Sequence, residues 1–306
     1  MKKAENDTLK KLLRHYIDLE YYANGVDEDM QILLEELGSE CDRLIDSQNS
    51  YSTKDTYSFV YRAIKEKVES FEKKLEERME KEAENIKNKE SEFLSVIYGT
   101  AITIGTIALA KILFAPMDGR DTLKSFVERT KKNILRTYDT ALRSGYLFGK
   151  SSSDVKNQTK TSMTQISRGM GSAIKTAIPS FAKTTDKIIF LENNLEVVWC
   201  ATLDGRTCLT CGALHGKHFT SVSAAPANPL HNLCRCILLP SKLAPKNMPT
   251  YEEYIDSLSD DEQLHILGRS RYEWHKQGVH LEQFVNNGKK LTVEEIDKKL
   301  KEAVME

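Results

Sequence analysis

Five of the six cysteines in this 306-residue chain fall between positions 200 and 236. They stand as Cys208-Leu-Thr-Cys211 and His231-Asn-Leu-Cys234-Arg-Cys236, with Cys200 just ahead and Cys41 far away. Thiolates and imidazoles are the ligands of a tetrahedral zinc ion, and a Cys-x-x-Cys turn aims two sulfurs at one side of such a site. His231, Cys234 and Cys236 then offer three candidates for two places, 22 residues beyond Cys211. The expected ligands are four of the five groups Cys208, Cys211, His231, Cys234 and Cys236, and the expected cofactor is a structural zinc. Cys200 has no partner in this pattern and reads as core.

Other chemistries compete for the same residues. A disulfide framework needs an oxidising compartment, yet Met1 to Ile17 mixes Glu5, Asp7, Lys10, Lys11 and Arg14 with leucines, so no export is expected. A thioredoxin-like pair requires a helix directly after the Cys-x-x-Cys, where Gly212 and Gly216 stand instead. Zinc deaminases need a His-x-Glu, but His215 is followed by Gly216-Lys217 and His218 by Phe219-Thr220. A ββα-metal nuclease would use His215, Asn228 and His231 around a catalytic divalent ion, although its adjacent Asp-His pair is missing. Reduced, unliganded cysteines are the plainest alternative.

The elements that must carry the cluster are mostly helical. Only 7 prolines and 15 glycines accompany 40% hydrophobic and 29% charged residues, which excludes disorder along the whole length and favours long regular elements. Residues 8–46 have leucine and isoleucine spacing of helical type, with Asp27 after Gly25 as a helix start, so a helical hairpin is expected. From Tyr61 to Ile86, Ile64, Val68, Phe71, Leu75, Met79, Ala83 and Ile86 advance by threes and fours as one long amphipathic helix of a bundle. The run Phe93–Ala110 lacks charge but is diluted by Gly and Thr, and is expected as a buried helix at a domain's centre with no stable membrane insertion.

Pro116 and Asp118-Gly119 interrupt the helices, which resume from Arg120 to Leu147 until Gly145 and Gly149 stop them. Ser151-Ser152-Ser153-Asp154 offers N-caps for a helix over about 154–177. Ile188-Ile189-Phe190 and Val197-Val198-Trp199, around Asn193-Asn194, are expected as two β-segments and a turn. A last helix runs from Val293 to Val304. The expected fold is α+β, predominantly helical, with a small cysteine/histidine-stapled β element in the C-terminal half. Residues 1–118 form a helical N-terminal region and 119–306 a second domain with the knuckle at 199–240.

Net charge is −1, but residues 1–60 hold 7 Lys+Arg against 13 Asp+Glu, whereas residues 120–187 hold 14 against 5. The +9 segment is either a set of solvated helix faces or a surface for DNA phosphates or an acidic partner.

Read from Trp199 through Asp204-Gly-Arg206-Thr207-Cys208-Leu-Thr-Cys211, Leu214-His-Gly216-Lys217-His-Phe219 and Pro229-Leu-His231-Asn-Leu-Cys234-Arg235-Cys236, the sequence resembles the phage Mu F-type minor head proteins. The order of that family's motif is kept. The Arg168–Ala177 helix, Ile266-Leu-Gly268-Arg269-Ser-Arg271, Gly278 and Leu291-Thr292 extend the likeness over roughly residues 120–300, while the first hundred residues look like a variable helical arm. The resemblance implies a minor head protein of a tailed phage or prophage, acting in head morphogenesis and in DNA packaging or delivery. Its implied partners are the portal protein, other head proteins and, through 120–187, packaged DNA. Its implied place is the virion or procapsid interior, with the host cytoplasm during assembly. Relatives fused to toxin or transferase domains exist; this chain leaves little room for one, and no enzyme is expected. Asp204 and Arg206 are expected to fix the loop by charge-assisted hydrogen bonds, with Arg235 acting likewise.

Overall fold

The computed structural model describes residues 2–48, 53–245, 247–286 and 289–305. Four long helices dominate it: α1 (Lys2–Asp46), α2 (Lys54–Tyr98), then, after the short α3 (Leu109–Leu113), α4 (Leu123–Phe148) and α5 (Ser152–Glu192). Each apolar position foreseen on the Tyr61–Ile86 helix is buried in α2, and Leu123, Phe126, Val127, Ile134, Tyr138 and Leu142 are buried in α4, with Leu135 half-buried. The apolar stripes face inward, so α1 packs on α5, α2 on α4, and α4 on α5. One hydrophobic core runs from Leu19 to Leu238 and crosses residue 118 without a break.

Several local expectations need correction. Residues 8–46 are not a hairpin but part of a single helix. Asp27 starts nothing: it lies inside α1, buried, with its carboxylate against Gly171 of α5 and 2.9 Å from Lys175 Nζ. A Cβ at Gly171 would fall 2.7 Å from that carboxylate, so the missing side chain is what admits the charge between the helices. Phe93–Ala110 is not one helix either. It contains the end of α2, a 3-10 turn Gly99–Ala101, an extended stretch and the start of α3, because Gly99 at φ 53 ends the α-helix. Val96 lies 76% exposed there. Among the described residues no helix is long and apolar enough to cross a membrane.

α4 continues past the buried Gly145 and ends at Gly149, φ 63. Ser151 is the N-cap of α5, its hydroxyl accepting from Asp154 N while the Asp154 carboxylate accepts from Ser151 N at 3.2 Å. This helix runs through Pro179 to Glu192, so Ile188-Ile189-Phe190 are helical and not a β-segment. The periodicity wins over local β-propensity: Ile174, Ile178, Phe181, Thr185 and Ile189 follow by threes and fours, all buried. Asn193 Nδ2 donates to Ile189 C=O, and Asn194 takes φ 50, so the Asn-Asn pair is a helix stop.

β1 (Val197–Cys200) is thus the first strand. After α6 (Leu209–Leu214) come β2 (His218–Phe219) and β3 (Ile237–Pro240), in an antiparallel sheet ordered β2-β1-β3. Trp199 pairs with Leu238 and Cys200 with Ile237. Cys200 is buried, as expected of core, in a cluster with Leu12, Val198, Ile237 and Leu239, and burial pushes its thiol up to about 11. Beyond the sheet, α7 (Tyr251–Asp256), α8 (Asp260–Leu267), α9 (Arg269–Lys276), the strands β4 (Val285–Asn286) and β5 (Lys289–Lys290), and α10 (Val293–Met305) close a second small core around Leu209, Tyr251, Ile255, Leu267, Phe284 and Ile296. The chain is therefore a predominantly helical α+β protein with a small antiparallel sheet.

A polar network lies inside the bundle where α1, α2 and α5 meet. Tyr16 hydroxyl donates to Asp186, and His15 Nε2 sits 2.6 Å from Glu90 Oε2 with its ring stacked on Phe93. Glu90 and Asp186, 1% and 5% exposed, are neighbours here, and the Glu90 charge raises the affinity of Asp186 for a proton. Glu90 Oε1 and Asp186 Oδ1 are buried without a hydrogen-bond partner, and a proton shared between the two carboxylates would satisfy both. Many cations of the 120–187 segment turn inward to the acidic helices: Lys131 pairs with Glu72, Lys156 with Asp46 and Lys175 with Asp27.

Candidate metal centre

The sheet and α5 together position the cysteines. Cys208 is the N-cap of α6, its Sγ accepting from Cys211 N at 3.4 Å, so the Cys-x-x-Cys occupies a helix start with both sulfurs on one side. The 228–236 loop brings the other half. One face of α5 holds that loop by hydrogen bonds: Asn232 Nδ2 donates to Ser172 Oγ at 2.6 Å, Thr176 hydroxyl donates to Asn232 Oδ1, and Leu233 N donates to Thr176 Oγ1 at 3.0 Å. Lower on the same face, Lys183 Nζ donates to Cys234 C=O at 2.6 Å and Lys187 Nζ to Asn228 C=O at 2.7 Å.

The five expected groups converge in two overlapping sets, Cys208–Cys211–His231 and Cys211–Cys234–Cys236, whose ligand atoms lie within 4.8 Å of one another in each set. Cys211 belongs to both. His231 Nε2 is 3.4 Å from Cys208 Sγ and 3.2 Å from Cys211 Sγ, and Cys211 Sγ is 3.9 Å from Cys234 Sγ. Tetrahedral coordination at zinc bond lengths places ligand atoms roughly 3.5–3.8 Å apart, so these edges fit a metal ion. His231 Nδ1 lies 2.8 Å from Asn232 C=O, the partner that leaves Nε2 to face the sulfurs.

The electrostatics are those of a proton-sharing thiol cluster. The hydrogen bond from Cys211 draws Cys208 down to about 4, with His231 adding to the effect, and Cys211 and Cys236 likewise lower Cys234. Cys211 is raised for the converse reason. His231 is raised to about 9 by Cys208. Metal binding would displace these protons. The Lys183 amine, only 4% exposed, is lowered by burial and held up by Cys234 and Cys236, and its Nζ lies against the loop that carries them.

The Asp204 carboxylate fixes the rim, but its main partner is Arg235, which donates to both oxygens at 2.6 and 2.5 Å; Arg206 stands 3.7 Å away and largely exposed. Of the residues cast for nuclease chemistry, only His231 joins the cluster. His215 belongs to neither ligand set among the described residues, and its Nδ1 accepts from Ala201 N at 3.0 Å. Asn228 is buried, with Nδ2 donating to Cys236 C=O at 3.1 Å.

Sequence reasoning missed Ser172, Thr176, Lys183 and Lys187. Their spacing of four, seven and four is a helical-face signal inside a long apolar helix, which a search for the loop's supports would have found. Gly212 is a further support: a Cβ there would lie 2.3 Å from the Tyr251 ring, whose hydroxyl donates to Thr207 C=O at 2.9 Å. Gly212→Ala is expected to cost about 2 kcal/mol or more by overpacking, measured as a lower denaturation midpoint at unchanged slope; an unchanged midpoint would mean that Tyr251 is free to move. Comparison of the chain with protein-family models, with curated proteins and with solved structures returned no match.

Proposed function

We propose that this protein is a minor head protein of a tailed phage or prophage, acting in head morphogenesis with the portal and other head proteins, and that its cysteine loop holds a structural zinc. The observation that carries the reading is the motif from Asp204 to Cys236, whose order resembles that family and whose Cys and His side chains meet in one cluster. The proposed zinc ligands are Cys208, Cys211, His231 and Cys234, the four linked by short contacts, with Cys236 as the supporting fifth group. The donor set suits zinc, and its closure by four protein ligands suits a structural site without an open position for substrate. Its proposed place is the procapsid and virion interior.

Elemental analysis of purified protein is expected to give about one zinc per chain, and a divalent-ion nuclease assay on the same sample no cleavage. Co-expression with the portal protein of the same phage genome should yield a co-sedimenting complex that His215→Ala leaves intact. DNA cleavage abolished by His215→Ala would replace this reading with a metal-dependent nuclease.

A further inference from the structure

On the outer face of the bundle, α4 and α5 enclose a groove of about 610 Å³. α4 lends it Arg129, Asn133 and Arg136, and α5 lends it Gln158, Ser162 and Gln165, both at spacings of four and three, so two helical faces oppose each other across the gap. An interhelical seam usually closes with apolar side chains; this one stays open and polar above a floor that includes Phe126 and Ile166. No carboxylate lines it, and α5 has none between Val155 and Thr185 in a chain with 45. The groove on the other side of α5, toward α1, carries Glu35 and Asp42, and a smaller pocket that adjoins this groove at Arg129 and Gly169 carries Asp118 and Asp121, so the acid-free stretch is the part around Asn133 and Arg136.

Arg129 is paired with Asp121 at 2.5 Å, but Arg136 in the groove, Lys132 one turn before it on α4, and Arg168 next to the lining Gly169 on α5, all exposed, have no ion pair among the described residues. Arginine, lysine, serine, asparagine and glutamine are the side chains that contact phosphate oxygens. The exposed aromatic anchors of a protein interface are missing from the lining. From Arg129 to Arg136 the helix rises about 10 Å, room for roughly three nucleotides at the rise of one strand.

We propose that the α4–α5 groove binds the phosphodiester backbone of DNA without reading its sequence. The site deepens the head-protein reading and rests on it only for the source of the DNA.

Fluorescence anisotropy of the full chain with a short labelled duplex of arbitrary sequence tests this. Wild-type binding should weaken steeply with salt. Lys132→Glu/Arg136→Glu should bind about 10-fold or more weakly and lower the slope of log K against log salt by about two. Lys73→Glu, on the exposed face of α2, should match wild type. Circular dichroism confirms that both variants fold. Salt-insensitive or absent wild-type binding, or a double variant equal to wild type, overturns the proposal. Displacement of DNA by polyglutamate at equal charge, as readily as by a second duplex, also overturns it in favour of an acidic protein partner. Failure of this test leaves metal content and portal co-sedimentation unaffected, so the two readings fall separately.

Discussion

Cys211→Ser is expected to be the most damaging single change in the chain, with loss of bound metal and a fall in stability of about 3 kcal/mol or more. Cys211 is the one thiol common to both ligand sets, and it is buried at 3% exposure. It is the one group of the five whose ligand atom lies close to those of both sets, with 3.2 Å to His231 Nε2 and 3.9 Å to Cys234 Sγ, so it joins the two halves of the cluster. Cys236→Ser should be milder, because Cys236 has no short contact with His231 or Cys208. Trp199 reports directly: it is fully buried in β1 and paired with Leu238 of the strand that follows the loop. In a Trp274→Phe background, denaturant titration followed by fluorescence should give a midpoint that chelator lowers in wild type but not in Cys211→Ser. Equal midpoints in all samples, with zinc retained by Cys211→Ser, would refute the ligand assignment.

The second large effect concerns pH and the Glu90–Asp186 pair. Burial raises Glu90 to about 7 from its ordinary 4.5, and burial together with the Glu90 charge raises Asp186 well above the carboxylate range. A carboxyl group raised on folding binds its proton more tightly in the native state. Its stabilisation is complete below pH 4.5, is lost as pH rises through about 7, and for Asp186 continues to fall beyond that. For Glu90 alone linkage gives a change on the order of 3 kcal/mol. The groups facing the pair are His15 and Tyr16 from α1, Tyr98 from α2 and Lys187 from α5, with Asp18 of α1 acting on His15. His15 is itself lowered by burial, so an uncharged imidazole faces Glu90 near neutrality.

Glu90→Gln keeps a donor for Asp186 and an oxygen for His15 while removing the second charge. It should flatten the fall in denaturation midpoint between about pH 6 and about pH 9, and at the alkaline end exceed wild type by about 1 kcal/mol or more. Asp186→Asn should act in the same direction. Zinc-loaded samples keep titration of the thiol cluster out of the comparison. Wild-type and Glu90→Gln curves that run parallel would mean that the pair does not share a proton.

Much of this architecture was readable from spacing. The α2 stripe, the Ser151–Asp154 cap and the five-group cluster are local or periodic signals, and each stands where it was expected. The misreadings occurred where distant partners decide. Asp27 looks like a helix start until Gly171 and Lys175 are seen beside it, and Ile188-Ile189-Phe190 look like a strand until the bundle claims one side of them. The supports of the candidate site were hidden for the same reason. Lys183 and Lys187 counted toward a basic surface, whereas burial and the carbonyls of Cys234 and Asn228 make them interior struts.

α5 is buried at every position from Thr176 to Asp186, with the cysteine loop on one face and α1 and α2 on others. A helix enclosed in this way cannot open toward solvent unless both sets of neighbours leave. Amide protons along this stretch should therefore exchange only through the global unfolding event, and they form one cooperative unit that includes both the bundle and the sheet. A fragment beginning near residue 119 would lack α1 and α2, and with them the shielding of that unit. The chain's slowest-exchanging segment is then neither in the cysteine knuckle nor in the first two helices, but in the helix they share.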